Sequence, residues 1–388
     1  MKKGILLLFI IFICLNVGAC NAPSATPNEH SKEPSLQINT ATGTVSGNYI
    51  YQAVNIDDQH QIILKYHLLT GEVTPLCQDP YCNHEQASCP FYLETSKGVD
   101  VVYIGDTVFF NKYDSNGNNL IIAYDNALMH SEIIYDDTYQ IIGPFPYQYH
   151  LYYTVIINKI PTLFRYDTQS QQTELVMTYE AGYLFDIKND WIYIALGKDN
   201  YIIYDLSGNL LSNAVPGDYR GYTYKLDEVQ STMGMRDATM SYFRAPVGTT
   251  TWEKIAENIG PVENINNLCV YFIPLKLEDQ ELIYSNETEK IYNIFGGNVY
   301  LMNLDGSEAK LLCCASGCDI KGLSGYKNNK LTSGDWLGIK ISKYVSDSSG
   351  NIIMRNTDLL LVNLATGEYH EARYTTNEDV IDEELASH

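Results

Sequence analysis

The stretch YLMNLDGSEAKLLC, residues 300–313, alternates apolar and polar positions, turns at Asp-Gly-Ser, and then alternates again. Alternation with a period of two on both sides of such a cluster is typical of two antiparallel strands joined by a tight turn. The same strand–turn–strand pattern occurs in six other segments, at 65–77, 123–135, 165–177, 203–215, 242–256 and 360–372. The chain therefore repeats one β-hairpin unit.

The residue that precedes each turn sets the phase of the repeat. These residues are Tyr66, Tyr124, Tyr166, Tyr204, Phe243, Met302 and Val362. Several intervals are close to 40 residues, and the first also becomes so when the cysteine-rich segment 77–91 is left out. About 40 residues is the length of one four-stranded propeller blade. The sequence predicts an all-β fold, a β-propeller of about seven four-stranded blades; the weak unit 242–256 leaves six or eight open.

Helical periodicity is not evident after the N-terminal apolar run. The nearest candidate is 249–259, whose run of threonines suits a strand as well. The 32 tyrosines fit a propeller, because Tyr favours strands and packs its ring between blades while its hydroxyl reaches water. Stacking of some tyrosines on carbohydrate is the functional alternative.

The N-terminus predicts export. Lys2 and Lys3 precede the apolar run 4–17, and small residues lead into Cys20. This order is that of a signal peptide, and its end resembles a bacterial lipobox, in which a diacylglycerol is attached to the cysteine. An uncleaved anchor is the alternative. We expect a signal peptide at 1–19, a lipidated Cys20 with a flexible tether at 20–45, a propeller at 46–375 and an acidic tail at 376–388.

The charge limits the partners. The formal net charge is -22 and the pI is about 4.6, which argues against nucleic acid and against electrostatic adhesion to anionic lipid. We expect the protein on the outer face of the cell membrane, held there by its N-terminal lipid. An extracellular glycan, peptide or protein would be its partner.

The segment CQDPYCNHEQASCPF, residues 77–91, carries a potential ligand set, Cys77, Cys82, His84 and Cys89. Three cysteines and one histidine are a set that tetrahedral zinc accepts, although the spacing is not that of a standard finger. An Asp-Pro turn within the segment would curl the chain back on itself. A structural disulfide is the second interpretation, typical of exported proteins. A redox or catalytic thiol beside His84 is the third.

A second cysteine cluster comprises Cys313, Cys314 and Cys318. Without a nearby histidine, a bridge or idle thiols are favoured over a metal. Cys77 and Cys313 follow their repeat markers at the same distance, so both clusters are expected where an outermost strand ends and the chain crosses to the next blade. The seven cysteines after Cys20 are an odd number, which argues against a complete disulfide framework.

The unit at 298–312 resembles the repeat of propellers of the low-density-lipoprotein-receptor and TolB-like kinds. The Cys-x-Asp-Pro-x-Cys-x-His run with its following Cys-Pro-Phe is similar to one in surface lipoproteins of anaerobic Gram-positive bacteria. That group has no established activity. The resemblance therefore implies a fold and a location, and it implies no reaction.

The sequence contains no motif of a nucleophile elbow, a phosphate-binding loop or a zinc-protease helix. The run DSNGNN, 114–119, begins like a calcium loop but lacks its glycine, so a hairpin turn is expected there. These observations favour a non-enzymatic binding module. The alternatives are an extracellular hydrolase or lyase with a site in the propeller funnel, and a scaffold that responds to metal or redox state through its Cys/His loop.

Overall fold

The computed structural model of the chain describes residues 37–38 and 45–374 apart from a set of gaps. The gaps are 56–59, 80, 83–88, 95–99, 115, 189, 198–199, 213–220, 229–239, 247–248, 261, 266–267, 275–281, 286–289, 293–296, 316–318, 323–330 and 347–351. Within the described part every regular element is a strand. No apolar helix with the length of a membrane span occurs there.

Seven antiparallel sheets follow one another along the chain and form a seven-bladed β-propeller. A short pair, β1 (Gln37–Ile38) and β2 (Val45–Ser46), precedes them. Blade 1 contains β3 (Tyr49–Asn55), β4 (His60–His67), β5 (Val73–Pro75) and β6 (Tyr92–Glu94), and blade 2 contains β7 (Val101–Ile104), β8 (Thr107–Tyr113), β9 (Asn119–Asp125) and β10 (His130–Asp137). Blade 3 contains β11 (Ile141–Tyr147), β12 (His150–Ile157), β13 (Ile160–Asp167) and β14 (Gln172–Thr178). Blade 4 contains β15 (Tyr183–Lys188), β16 (Trp191–Gly197), β17 (Asn200–Asp205) and β18 (Leu210–Ser212).

The last three blades include the longest connections. Blade 5 contains β19 (Tyr222–Glu228), β20 (Met240–Pro246) and β21 (Glu253–Ile259). Blade 6 contains β22 (Val262–Ile265), β23 (Leu268–Pro274), β26 (Gly297–Asn303) and β27 (Lys310–Ala315). Blade 7 contains β28 (Asp319–Gly322), β29 (Thr332–Ser333), β30 (Trp336–Ser346), β31 (Ile352–Asn363) and β32 (Tyr369–Ala372). A separate hairpin, β24 (Leu282–Ser285) and β25 (Lys290–Tyr292), lies between β23 and β26. The segment considered for a helix, 249–259, ends in strand β21.

The predicted phase of the repeat is confirmed. All seven marker residues lie in the strand that precedes the outermost strand of their blade. The residue after the marker organises the turn: the Asp125 carboxylate accepts N–H bonds from Ala127 at 2.8 Å and Leu128 at 3.0 Å. Asp167, Asp205 and Asn363 accept equivalent bonds in blades 3, 4 and 7. Such local bonds satisfy the turn backbone, and they explain why the repeat is legible in the sequence.

Packing between blades supplies the core. Along β4, Leu64 and Tyr66 face blade 7, whereas Ile63 faces blade 2. Buried clusters of this kind join blade 1 to 2, 2 to 3, 3 to 4, 5 to 6, 6 to 7 and 7 to 1. A blade that is covered on both sides by neighbours in this way is apolar on both faces.

The ring closes by side-chain packing between the first and last blades. Leu64 of blade 1 packs with Leu359 and Leu361 of blade 7. Near the axis, the Gly47 N–H donates to Ser333 Oγ at 3.0 Å. Among the described strands, none from the N-terminal part pairs with blade 7. Apolar contacts between blades 1 and 7 therefore contribute to the closure of the ring.

The two faces of the propeller carry connections of different length. In blades 2, 3 and 4, the turns from the first to the second strand and from the third to the fourth lie on one face and span two to four residues. Connections from the second to the third strand lie on the other face. There the chain runs from Glu228 to Met240 in blade 5 and from Pro274 to Gly297 in blade 6, and β30 and β31 of blade 7 are 11 and 12 residues long. Three consecutive blades thus enlarge one face.

The run 114–119 forms the expected hairpin turn between β8 and β9. The Asp114 carboxylate accepts N–H bonds from Asn116 and Asn118, both at 2.8 Å. Its oxygens are therefore used inside the turn.

Candidate metal centre

The cysteine-rich segment 77–91 interrupts the outermost strand of blade 1. Strand β5 pairs with Leu64–Tyr66, and β6 pairs with His60–Ile62 on the same edge of β4. The Leu76 N–H donates to the Ile63 carbonyl at 2.8 Å, so pairing continues up to the residue before Cys77. After the excursion, Tyr92 takes the next position, opposite Ile62.

This placement corrects the expectation that the cluster begins where the outermost strand ends. The strand resumes at β6, so the excursion leaves from its middle, at the perimeter of blade 1. An equal number of residues between the repeat marker and the first cysteine cannot show that a strand continues after an insertion. The second cluster agrees with the expectation, since Cys313 and Cys314 lie in the last three residues of β27 and pair with Val299 and Asn298.

The expected turn after Cys77 is present and is centred on Asp79. The Asp79 carboxylate accepts the Tyr81 N–H at 2.9 Å. The Asp79 carbonyl accepts the Cys82 N–H at 3.1 Å. This Asx turn reverses the chain and returns Cys82 toward Cys77.

Three thiols meet inside the excursion. The Sγ atoms of Cys77, Cys82 and Cys89 all lie within 4.8 Å of one another. Cys77 and Cys89 are buried and Cys82 is half-buried, and no disulfide joins them. Sulfurs bound to one tetrahedral zinc at about 2.3 Å are roughly 3.8 Å apart, so the cluster has the size of a single-ion site. The residues present fit a thiophilic metal.

The environment of the thiols is apolar. Cys77 and Cys89 pack with Phe91, Phe110 and Tyr124 in the core between blades 1 and 2. Burial raises the pKa of the Cys77 thiol and raises that of Cys89 to about 12. Without a metal both are protonated at neutral pH, and protonated thiols are poor nucleophiles. The environment therefore disfavours a catalytic cysteine, and a cation that replaces the protons would stabilise the thiolates.

Three predicted residues lie outside the described residues: His84, Cys318 and the lipidation candidate Cys20. The participation of His84 as fourth ligand therefore stays a prediction, as does the N-terminal lipid. In the second cluster, Cys313 is buried between blades 6 and 7 and Cys314 is half-buried. Successive strand residues point to opposite faces, so these two thiols diverge.

Sequence reasoning missed a pocket beside the cysteine centre. Tyr49, Lys65, Glu72 and Cys77 contribute to its wall, and its volume is about 360 Å³. The signal in the sequence was Lys65, a charged residue in the apolar strand IILKYH. Alternation assigns it to the same face as the buried Ile63.

Comparison with known proteins identifies no family for this chain. No protein-family model matches the chain. No curated protein matches its sequence. Solved structures with a similar fold include TolB from Acinetobacter baumannii, at 10% identity over 84% of this chain and 79% of that chain with a TM-score of 0.30.

Two further similar structures come from other kinds of protein. The β-propeller domain of the Trilobed protease from Pyrococcus furiosus is 10% identical over 72% of this chain and 96% of that chain, with a TM-score of 0.37. An oligogalacturonate lyase from Vibrio parahaemolyticus is 12% identical over 71% of this chain and 74% of that chain, with a TM-score of 0.31. The assignment of a propeller rests on the strand pairing within this chain, and a shared fold implies no activity.

Proposed function

We propose that this protein is a lipid-anchored binding module of the cell surface, which recognises an extracellular glycan, peptide or protein through the enlarged face of its propeller. The observation that carries the proposal is the unequal length of the connections on the two faces. Long loops on a rigid scaffold are where binding residues concentrate, because the scaffold tolerates their variation. Blades 5, 6 and 7 are consecutive along the chain, so we expect the binding residues on neighbouring blades.

The binding face is tested by shortening one extension. Residues 275–296 are replaced by a two-residue Asn-Gly turn, which suits a tight hairpin between β23 and β26. The wild type and the variant are screened on an array of extracellular glycans, with displayed surface peptides as the second arm. We expect wild-type binding that is lost in the variant, while circular dichroism and thermal melting stay unchanged.

A matched control on the opposite face is the replacement of the turn residues 365–367 by another tight turn. This control should bind like the wild type. Equal binding by all three proteins would place the site away from the enlarged face. A folded wild type that retains no glycan or peptide would contradict a binding function.

We further propose that Cys77, Cys82 and Cys89 hold one zinc ion, with His84 as the fourth ligand. Support comes from the three sulfurs within 4.8 Å of one another. With no vacant position, such a site would be structural and would fasten the excursion to the core between blades 1 and 2. The residues themselves orient the sulfurs through the Asp79 turn and exclude water by burial.

The metal is tested on protein purified anaerobically, by intact mass together with elemental analysis. We expect one zinc per chain and a mass without disulfides, with zinc lost in Cys82→Ser and in His84→Ala. Cys314→Ser is the matched control and should retain the metal. A metal-free protein lighter by two hydrogens per bridge would instead establish a disulfide-stapled loop.

A further inference from the structure

The pocket beside the cysteine centre opens near the third-to-fourth-strand turn of blade 1. Its volume of about 360 Å³ lies in the range of small-molecule sites. Tyr49 of β3, Lys65 and His67 of β4, and Glu72 of the following turn contribute to its wall. The Tyr49 and His67 rings meet edge to face with centroids 5.1 Å apart. The wall therefore combines an aromatic surface with two opposite charges.

Lys65 is a buried lysine whose described hydrogen-bond partner is neutral. Only 8% of the surface of Lys65 is exposed to solvent. Nζ donates to the neutral Asn126 Oδ1 at 3.3 Å and lies 5.4 Å from the centroid of the Tyr49 ring. Among the residues that the structure describes, no carboxylate is within ion-pair distance of Lys65 Nζ. A buried ammonium with only a neutral partner is costly, and a carboxylate that pairs with it would offset part of that cost.

The charges around Lys65 leave it incompletely compensated. Burial lowers its pKa, and this effect outweighs the opposing attraction of Glu72 and Asp106. Asp106 is engaged elsewhere, because its carboxylate accepts the Asn48 N–H at 2.8 Å and Asn48 Nδ2 at 3.2 Å. Glu72 lines the same pocket as Lys65 and is exposed to solvent. The pocket thus presents a cation and an anion that do not pair with each other.

We propose that this pocket binds a small zwitterion of the α-amino-acid type. The ligand carboxylate would pair with the Lys65 ammonium and replace the missing counter-ion. Its ammonium group would pair with Glu72, and its side chain would contact the Tyr49 and His67 rings. Glu72 disfavours a ligand with negative charge alone, since like charges in one pocket repel. The presence of both charges favours the zwitterion over phosphate or a simple carboxylate.

The proposal is tested by isothermal titration of the full chain with L-alanine, acetate, methylammonium and inorganic phosphate, followed by the other standard amino acids. We expect at least one amino acid to bind, with a stoichiometry of one molecule per chain. Acetate and methylammonium should bind with an affinity at least about tenfold weaker, which is equivalent to about 1.4 kcal/mol. Absence of binding by every amino acid to the folded protein would overturn the proposal. Acetate or phosphate binding as tightly as the best amino acid would also overturn it.

Two variants assign the binding to the pocket. Lys65→Met and Glu72→Gln should each weaken the amino acid at least about tenfold, and Glu72→Gln should strengthen acetate. Lys340→Met is the matched control, because burial also lowers the pKa of Lys340 while that residue does not line the pocket. Thermal melting checks folding, and the exposed Glu72 keeps the test valid if Lys65→Met fails to fold. Unchanged affinity in Glu72→Gln would refute the zwitterion.

Discussion

Blades 1 and 6 both place a cysteine at the same distance in sequence from the repeat marker, and the two cysteines have different surroundings. Cys77 and Cys313 each lie eleven residues after their marker, Tyr66 and Met302. In blade 6 the strand continues through Cys313 and Cys314 as β27. In blade 1 the chain leaves the strand at Cys77 and returns at Tyr92.

The difference shows what a regular strand prevents. Adjacent residues of a strand point to opposite faces, so the two thiols of blade 6 cannot share an ion. An excursion is free of that alternation, and the Asp79 turn brings Cys82 back to Cys77. Convergence of thiols therefore requires an insertion into the blade.

The largest expected effect comes from removing that insertion. Leu76 is opposite Ile63 and Tyr92 is opposite Ile62, so deletion of residues 77–91 joins β5 and β6 in register. The variant should keep the propeller, measured by circular dichroism, and lose the metal. Loss of the buried Phe91 ring should lower the free energy of unfolding by about 3–5 kcal/mol. An unfolded product would mean that the excursion belongs to the blade itself.

Metal removal should have the next largest effect. A ligand that binds only the folded state at a thousandfold excess over its Kd stabilises by about 4 kcal/mol. Thermal and denaturant unfolding with and without a chelator should reveal a loss of that order in the wild type. The Cys314→Ser variant should lose as much stability as the wild type when the chelator is added, whereas the stability of Cys89→Ser should not change with the chelator. A chelator effect in Cys89→Ser would place the metal elsewhere.

The cysteines of blade 6 should differ from each other by a smaller amount. Cys313→Ser buries a hydroxyl in the apolar core between blades 6 and 7, and we expect a loss of about 1–3 kcal/mol in the free energy of unfolding. Cys314→Ser should change it by less than about 0.5 kcal/mol. Urea unfolding of both variants measures the difference. Equal losses would show that both thiols are in the core.

The smallest effect concerns thiol reactivity after chelation. Because burial raises the pKa of Cys89 to about 12, its thiolate is scarce at neutral pH and should increase as the pH rises toward that value. We expect iodoacetamide to modify the half-buried Cys82 and Cys314 before the buried Cys89, measured by peptide mass spectrometry. Earlier modification of Cys89 would indicate that the core between blades 1 and 2 is open.

The repeat was predictable from local chemistry. The markers precede turns whose Asp and Asn residues bond to their own backbone, so the signal survives without any distant contact. The number of units follows from the same signal, and the weak unit at 242–256 is a strand pair in blade 5. The sequence also singled out Cys77, Cys82 and Cys89, which the structure brings together, because several thiols in one short segment are chemically distinctive.

Only the tertiary structure placed these residues. Pairing on the edge of β4 shows that the excursion leaves a continuous strand, because register is a relation between two chain segments. Burial between blades 1 and 2 decides the protonation of Cys77 and Cys89, and the neighbouring blade that causes it is far along the chain. The pocket around Lys65 likewise depends on Asn126 of blade 2. By itself the sequence determined the repeat and the ligand types, whereas packing between blades determined their environment.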